Sequence, residues 1–390
     1  MKKICMVAYT DYVSDTRCKY EAEALASNGD SVDFFSILND DSQKSYEQIN
    51  GVNVYRLKIV RYFGGNKFNY LLSYLIFFFK IFFKMSFFHF EKDYDCIHIN
   101  NIPDFLVFSA FIPKISGSKI ILDLHDSMPN TFTAKFDVPK EHWLIRLITF
   151  QTILCCKFAD LVITVHEPIK EEFVSYGIPA KKIKCILNCA TQEVFHYLPK
   201  TRKDDSFQLV YHGAIAERLG IDLLAIAVKK LAPQIPELKL VVYGGGEFVD
   251  GFSQMIKELA IGDFVDFHPG YIPYEKLPPI IAEADLGIVP TKEEKGSELM
   301  LPVKLLEYAA MHKAIICSKI YTVTKYFDDK MILFFEPQNA EDLADKILFL
   351  YKSKAEREKY SLGVQKFNEE FSGEKEKEKY RRMVYELIGN

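Results

Sequence analysis

Strand-length apolar runs alternate with helical patterns along this chain, and that alternation restricts its fold more than any other feature. Lys3 to Tyr9, Val32 to Phe35, Val52 to Tyr55, Cys96 to Ile99, Ile120 to Leu124 and Leu161 to Val165 are such runs. Between them lie helical spacings such as Ala22, Leu25 and Ala26, closing near Asn28-Gly29. Parallel strands need a crossover at each step, so the pattern predicts an α/β fold with a doubly wound parallel sheet. A polar stretch, HYLPKTRKDD from His196 to Asp205, interrupts the pattern before it restarts. Phe207 to Tyr211, Leu238 to Tyr243, Phe264 to Gly270, the run ending at Pro290, Ile315 to Ser318 and Ile332 to Phe335 follow. Two Rossmann-like domains are expected, 1–200 and 205–369, with a charged helical tail over 370–390. Ligands of such sheets sit beyond the carboxyl ends of the strands.

The bulk properties agree. At 390 residues, 49% hydrophobic and 26% charged, the chain can fill two ordinary cores. A formal charge of −4, with no helix-turn-helix or zinc-finger spacing, argues against nucleic acid as a partner. The eight cysteines are scattered without metal-ligand spacing and read as reduced thiols of a cytoplasmic protein. The opening MKKICMVAYT has a strand-length apolar run leading into Asp11 and Asp15, which reads as a first strand rather than a signal peptide.

The chemistry concentrates in PTKEEKGSELMLPVKLLEYAAM, Pro290 to Met311. An apolar strand ends at Pro290, a charged loop follows, and a helix opens at Pro302 with Leu305, Leu306, Ala309 and Ala310 facing inward. Proline is preset for a first helical turn, and the free N–H groups there favour an anion, most often a phosphate. Lys304 and Glu307, three apart, share a face of that turn. A cation for phosphate beside a carboxylate for a diol suits a nucleotide sugar. An ordinary surface helix with an intrahelical ion pair would read the same way.

The segment resembles the donor-site signature of the family 4 glycosyltransferases of GT-B fold. One branch of that family carries a helix reading P-x-K-x-x-E-Y, here Pro302-Val303-Lys304-Leu305-Leu306-Glu307-Tyr308. Other blocks follow in the family's order. Asp15-Thr16-Arg17 resembles an opening D-x-R, although an N-cap followed by an exposed arginine gives the same letters. His125 and Asp126 end a strand. The resemblance implies that the histidine faces the donor sugar and that Asp126 orients it or meets the acceptor, against the alternative of a structural histidine. His166-Glu167 takes the place of a T-V-S-E pattern, and Ile178-Pro179 with Ile183 to Asn188 closes the first domain. In the second, Gly213 follows a strand, Arg218 substitutes for the family's phosphate-binding basic residues, and Gly245 lies in a three-glycine donor loop. The strand and loop from Phe264 to Tyr271 would hold the nucleobase. The family keeps seven residues between its two glutamates, whereas Glu298 and Glu307 here have eight. Glu298 then needs a bulged loop to serve catalysis, or Glu294 or the N–H groups of Met300 and Leu301 replace it.

The resemblance implies two domains facing a central cleft, with the tail packing back on the first. It also implies retention of anomeric configuration, no metal, and no cofactor beyond a UDP- or GDP-linked sugar co-substrate. The expected acceptor is a saccharide, lipid-linked, in surface polysaccharide or glycoconjugate biosynthesis. A nucleotide-sugar epimerase would need an acid/base constellation of its own, which the sequence does not offer. A degenerate membrane-associated scaffold would tolerate the displaced Glu298.

Gln48 to Phe90 contains no Asp or Glu but carries Arg56, Lys58, Arg61, Lys67, Lys80 and Lys84. From Tyr70 to Phe90 a helix would place Asn69, Ser73, Lys80 and Lys84 on a narrow polar stripe, with phenylalanines elsewhere. Two readings fit. The helix either lies on an anionic membrane surface with snorkelling lysines, making the protein cytoplasmic and peripheral, or packs against the first sheet.

Overall fold

The computed structural model describes residues 1–38, 43–59, 67–136, 138–294 and 297–389. They form two compact units, Met1–Leu187 with Lys375–Asn390, and Asn188–Glu374. The first unit holds strands β1 (Lys3–Val7), β2 (Ser31–Leu38), β3 (Tyr46–Ile49), β4 (Val52–Lys58), β5 (Cys96–Asn100), β6 (Lys119–Leu124), β7 (Leu161–Thr164) and β8 (Ile183–Cys185). Their order is β3-β4-β2-β1-β5-β6-β7-β8, parallel throughout except for β3. The sequence reading passed over that antiparallel strand, although Asn50-Gly51 between β3 and β4 is a hairpin signal. Both residues take positive φ, 47° and 85°, as a two-residue turn of this kind requires.

The second unit holds β9 (Phe207–His212), β10 (Leu238–Gly244), β11 (Val265–Pro269), β12 (Leu286–Val289), β13 (Ala314–Ser318) and β14 (Leu333–Phe335), ordered β11-β10-β9-β12-β13-β14 and all parallel. Apolar clusters cover both faces of this sheet. The chain changes unit between Leu187 and Asn188, ahead of the polar stretch 196–205. Polarity there marks exposure rather than a linker. Arg202 is held to Asp285 at 2.7 Å, the Thr201 and Arg202 N–H groups donate to Glu283, and Phe195 is buried.

The tail rejoins the first unit. Within the helix Gly373–Ile388, Tyr380 is buried with its hydroxyl 2.7 Å from His98 Nδ1, and Glu376 accepts the Leu187 N–H at 2.8 Å.

The helix Lys67–Lys92 inverts the expected arrangement of its polar stripe. Arg61 and the Lys67 side chain lie outside the described residues. Ser73, Phe77, Ile81, Met85 and Ser86 face inward and are buried. The lysines do not snorkel outward but tie the helix to the edge of the sheet. Lys80 donates to the Lys58 carbonyl at 2.9 Å, Lys84 lies over the Phe35 and Tyr55 rings, and Lys92 pairs with Asp33 at 2.5 Å. The opposite face is left to solvent: Leu72, Ile76, Phe79, Phe83, Phe87 and Phe90, three or four apart, are 43–76% exposed. By length and composition Leu71–Lys92 could cross a membrane, yet one face of it belongs to the core.

Removing the Tyr380 hydroxyl leaves His98 Nδ1 without its partner in a dry site. Tyr380→Phe is expected to destabilise the first unit by about 1–3 kcal/mol. Denaturant titration followed by hydrogen exchange at β5 checks this, and unchanged protection would contradict it.

Candidate functional site

The second unit builds its site at the carboxyl end of β9. Tyr211, His212 and Gly213 leave the strand there, and the helix Val303–Ala310 packs on them with its first two turns. Pro302 is the N-cap rather than the first helical residue, with φ −64° and ψ 119°. Its fixed φ still directs the chain into the helix, and the Val303 and Lys304 N–H groups have no acceptor among the described residues, whereas Leu305 N–H donates to the Pro302 carbonyl at 3.0 Å.

Lys304 folds back over the Tyr211 ring, its Nζ 3.5 Å from the centroid. Gly213 has φ +102°, a conformation for glycine, and a Cβ there would lie 3.7 Å from Lys304 Cε. The ammonium is thus walled by a ring and a backbone turn. Burial pushes its pKa down to about 7, although Glu307 pulls the other way. A neighbouring anion would raise that pKa and restore the charge.

Glu307 is 5% exposed, with Oε2 2.5 Å from His212 Nε2. His212 Nδ1 lies 3.0 Å from the Tyr308 hydroxyl, which donates to the Val210 carbonyl at 3.1 Å. With the phenolic proton committed to that carbonyl, Nδ1–H donates to the tyrosine oxygen. Nε2 and Glu307 then share the remaining proton, which fixes the carboxylate and leaves Oε1 without a partner among the described residues. The sequence named His212 and gave it no role. Its pairing with a residue 95 positions away carried no local signal.

The other second-unit candidates divide. Arg218 precedes the helix Ile221–Leu231, with Nη1 3.7 Å from Met300 Sδ and Nε 3.8 Å from Glu247. Such a half-exposed pair is weak, so the guanidinium can turn to a phosphate. Gly245 is not the glycine the loop demands. A Cβ on it would meet Gly270 at an ordinary 3.6 Å, whereas one on Gly244 would lie 1.8 Å from the Gly213 carbonyl oxygen. The three-glycine run therefore serves packing of the β9 and β10 loops. Met300 cannot supply a free N–H, because it donates to Ser297 at 2.9 Å in the turn that also contains Glu298. Leu301 N–H makes no such bond among the described residues. Lys292, which the sequence reading missed, is nearly buried and pairs with Asp222 at 2.8 Å, holding the loop after β12 to the Ile221–Leu231 helix.

In the first unit His125 follows β6. Its Nε2 lies 3.1 Å from Asp123 and 3.2 Å from Asn100 Oδ1, both acceptors, so Nε2 carries the proton and Nδ1 is left as an acceptor. Asp123 therefore orients the ring, and Asp126 does not: its carbonyl accepts from Asn101 at 2.8 Å while its side chain is exposed. Arg17 is neither exposed nor a ligand-binding group. Asp15 caps its helix, and the buried Arg17 guanidinium forks onto Asp123 at 3.0 and 3.2 Å and onto Glu21 at 3.1 Å. Burial alone would raise the Asp123 pKa, but Arg17 and then His125 hold it well below the carboxylate range. Glu21, His98 and Asp123 lie close enough for a shared ion, but Arg17 already supplies the positive charge to the two carboxylates. His166 is buried and caps the helix Glu167–Ser175, accepting from Ile169 N–H at 3.4 Å.

Two Rossmann-like units, the second with an anion-ready lysine and a fixed carboxylate on one helical turn, define a glycosyltransferase of GT-B fold. Residues 15–191 match the family described as Glycosyltransferase Family 4, and residues 197–366 match Glycosyl transferases group 1. The chain is thus a GT-B glycosyltransferase with a family 4 first half and a group 1 second half. It is 25% identical over 291 residues to an uncharacterised glycosyltransferase, MJ1607, of Methanocaldococcus jannaschii, covering 71% of this chain and 70% of that one. The alpha-galactosylglucosyldiacylglycerol synthase of Streptococcus pneumoniae is also 25% identical, over 58% of this chain and 60% of its own length. In fold it is similar to Anabaena HepE, solved in complex with UDP and glucose, at a TM-score of 0.74 and 15% identity over 99% of this chain and all of that one.

The lowered pKa of Lys304 has a consequence for binding. An anion beside it raises that pKa, so a complex formed above pH 7 takes up a proton. Affinity for a nucleoside diphosphate is expected to fall as pH rises above about 7, by up to about tenfold per unit. Lys304→Met should flatten the slope. Calorimetric titrations between pH 7 and 9 check this, and the same slope in both proteins would contradict it.

Proposed function

We propose that the protein transfers a sugar from a nucleotide-sugar donor, UDP- or GDP-linked, to a hydroxyl of a lipid-linked acceptor, with retention of configuration and no metal. The observation that carries this reading is the Lys304–Glu307 pair on the end of β9. A lysine that regains its charge beside phosphate and a carboxylate with one open oxygen match a pyrophosphate and a ribose diol. The names of the matched families and the UDP complex of HepE support the donor class. The diacylglycerol glycolipid in the name of the pneumococcal relative supports a lipid acceptor.

In the proposed reaction the bond between the anomeric carbon and the leaving phosphate oxygen breaks while the acceptor oxygen bonds to that carbon on the same face. The acceptor proton passes to the leaving oxygen. Lys304, Arg218 and the first N–H groups of the Val303–Ala310 helix stabilise the charge that develops on the diphosphate. His125, held by Asp123 and Asn100, offers Nδ1 to a sugar hydroxyl. Glu298 stands in the turn next to that helix as a further carboxylate for the sugar, in place of the family's first glutamate.

The exposed face of Lys67–Lys92 gives the lipid acceptor a physical setting. A row of phenylalanines in water is unfavourable by about 1.5–3 kcal/mol for each side chain a membrane surface could take up. The protein is therefore proposed to work at the cytoplasmic face of an anionic membrane, in the synthesis of a surface polysaccharide or glycoconjugate.

Incubation with UDP-, GDP-, ADP- and dTDP-sugars, with and without membrane lipid extract, should release free nucleotide from one donor. Glu307→Ala and Lys304→Ala should each lower that release by about a hundredfold or more. Failure of every donor to be bound or consumed would remove the reading. On anionic vesicles the protein should co-sediment, and Phe79→Ser with Phe83→Ser should release it. Equal sedimentation of wild type and variant would place the contact elsewhere.

A further inference from the structure

The first unit contains a cavity of about 630 Å³, within the size range of small-ligand sites. One wall comes from the Lys67–Lys92 helix through Leu71 and Tyr74. Another comes from the helix Trp143–Phe158 through Leu144 and Ile148. Phe105 and Phe132 extend the apolar lining. Its polar lining includes His125, Asp126, Asp15 and Asn101, with Thr10, Thr131 and Gln151. Among the described residues that line it there is no lysine or arginine.

The cavity is continuous with the exposed apolar face. Leu71, at its rim, is 49% exposed and adjoins the stripe from Leu72 to Phe90. The second wall helix has a stripe of its own: Trp143, Leu147, Phe150 and Leu154, spaced by four, three and four, are 40–68% exposed. Both helices pack on the segment Asp104–Ala110, and Phe111 and Ile115 of the next short helix are exposed as well. Two long helices, each with an exposed apolar row, thus both line the cavity, which also holds His125.

We infer that this cavity is the acceptor site and that it takes a neutral glycolipid, the hydrocarbon chain between the two helices and a sugar or glycerol hydroxyl at His125 and Asp126. The inference rests on the transferase reading and adds the chemical class of the acceptor. The chain assignment follows from the apolar walls and their continuity with the lipid-facing stripes. The head-group assignment follows from charge. Carboxylates and an imidazole Nδ1 accept hydrogen bonds from hydroxyls. A pyrophosphate-linked lipid would bring two or more negative charges against Asp15 and Asp126 with no cation among the described lining residues to offset them, and such like-charge contact in a partly dry site is unfavourable.

The test uses the full chain and two ligands of equal chain length, decyl glucoside and geranyl pyrophosphate, each titrated calorimetrically below its micelle concentration. Decyl glucoside is expected to bind, and geranyl pyrophosphate to bind at least about tenfold more weakly. Ile148→Phe, which fills the cavity, should weaken the glucoside by about tenfold or more. Asp126→Lys, at an exposed position where folding is not at stake, should narrow or reverse the preference between the two head groups. Geranyl pyrophosphate binding as tightly as the glucoside would overturn the inference, as would glucoside binding that neither variant changes. UDP and GDP titrated into the same protein separate the two claims. Nucleotide binding without glucoside binding removes the acceptor cavity alone, whereas glucoside binding without nucleotide binding removes the transferase reading while the cavity stands as a lipid site.

Discussion

The site depends on one contact, the first two turns of the Val303–Ala310 helix against the end of β9. Three consecutive residues leaving that strand each have a task. Tyr211 gives Lys304 a ring to lie on, His212 clamps Glu307, and Gly213 turns the chain, with φ +102°, against the lysine side chain. Tyr308 completes the arrangement by linking His212 to the Val210 carbonyl, which ties the helix to the strand by hydrogen bonds as well as by packing. The lysine is held in a state that disfavours its own charge, and the carboxylate is held with one oxygen committed. On the proposed reading, a ligand would supply negative charge to the one and hydroxyls to the other.

The first unit uses charge differently. Arg17, Glu21 and Asp123 form a buried network whose visible product is the orientation of His125. Lys80, Lys84 and Lys92 serve as anchors to the sheet edge, which leaves Phe79, Phe83, Phe87 and Phe90 outward. A helix whose lysines reach back to the sheet edge while a row of its apolar side chains faces solvent departs from the usual sense, and a lipid surface is the environment in which that row is favourable.

The alternation of runs and helical spacings carried the fold, because a buried parallel strand writes itself as a short apolar segment wherever it occurs. Lys304 and Glu307 were readable because a helix brings residues three apart onto one face. What local spacing could not supply were partners far along the chain. Arg17 read either as part of the family's opening D-x-R or as an exposed first-turn arginine, since Asp123 is 106 residues away, and His212 carried no role since Glu307 is 95 away. Met300 read as an available N–H because the turn closing on Ser297 has no sequence signature. The polar stretch 196–205 read as the domain boundary because its acid partners, Glu283 and Asp285, come from the end of a later helix and the bend after it. The stripe containing Lys80 and Lys84 left two readings open, lysines snorkelling at a membrane surface or a helix packed on the sheet, because composition does not say which side of a helix meets the sheet.

The most direct test of the central claim is a crystal structure of the full chain with UDP or GDP, whichever binds. The account predicts a diphosphate oxygen within hydrogen-bonding distance of Lys304 Nζ and a ribose hydroxyl on Glu307 Oε1, with the His212–Glu307 contact intact. A nucleotide bound elsewhere, or a ribose held without Glu307 while His212 and Glu307 move apart, would contradict it.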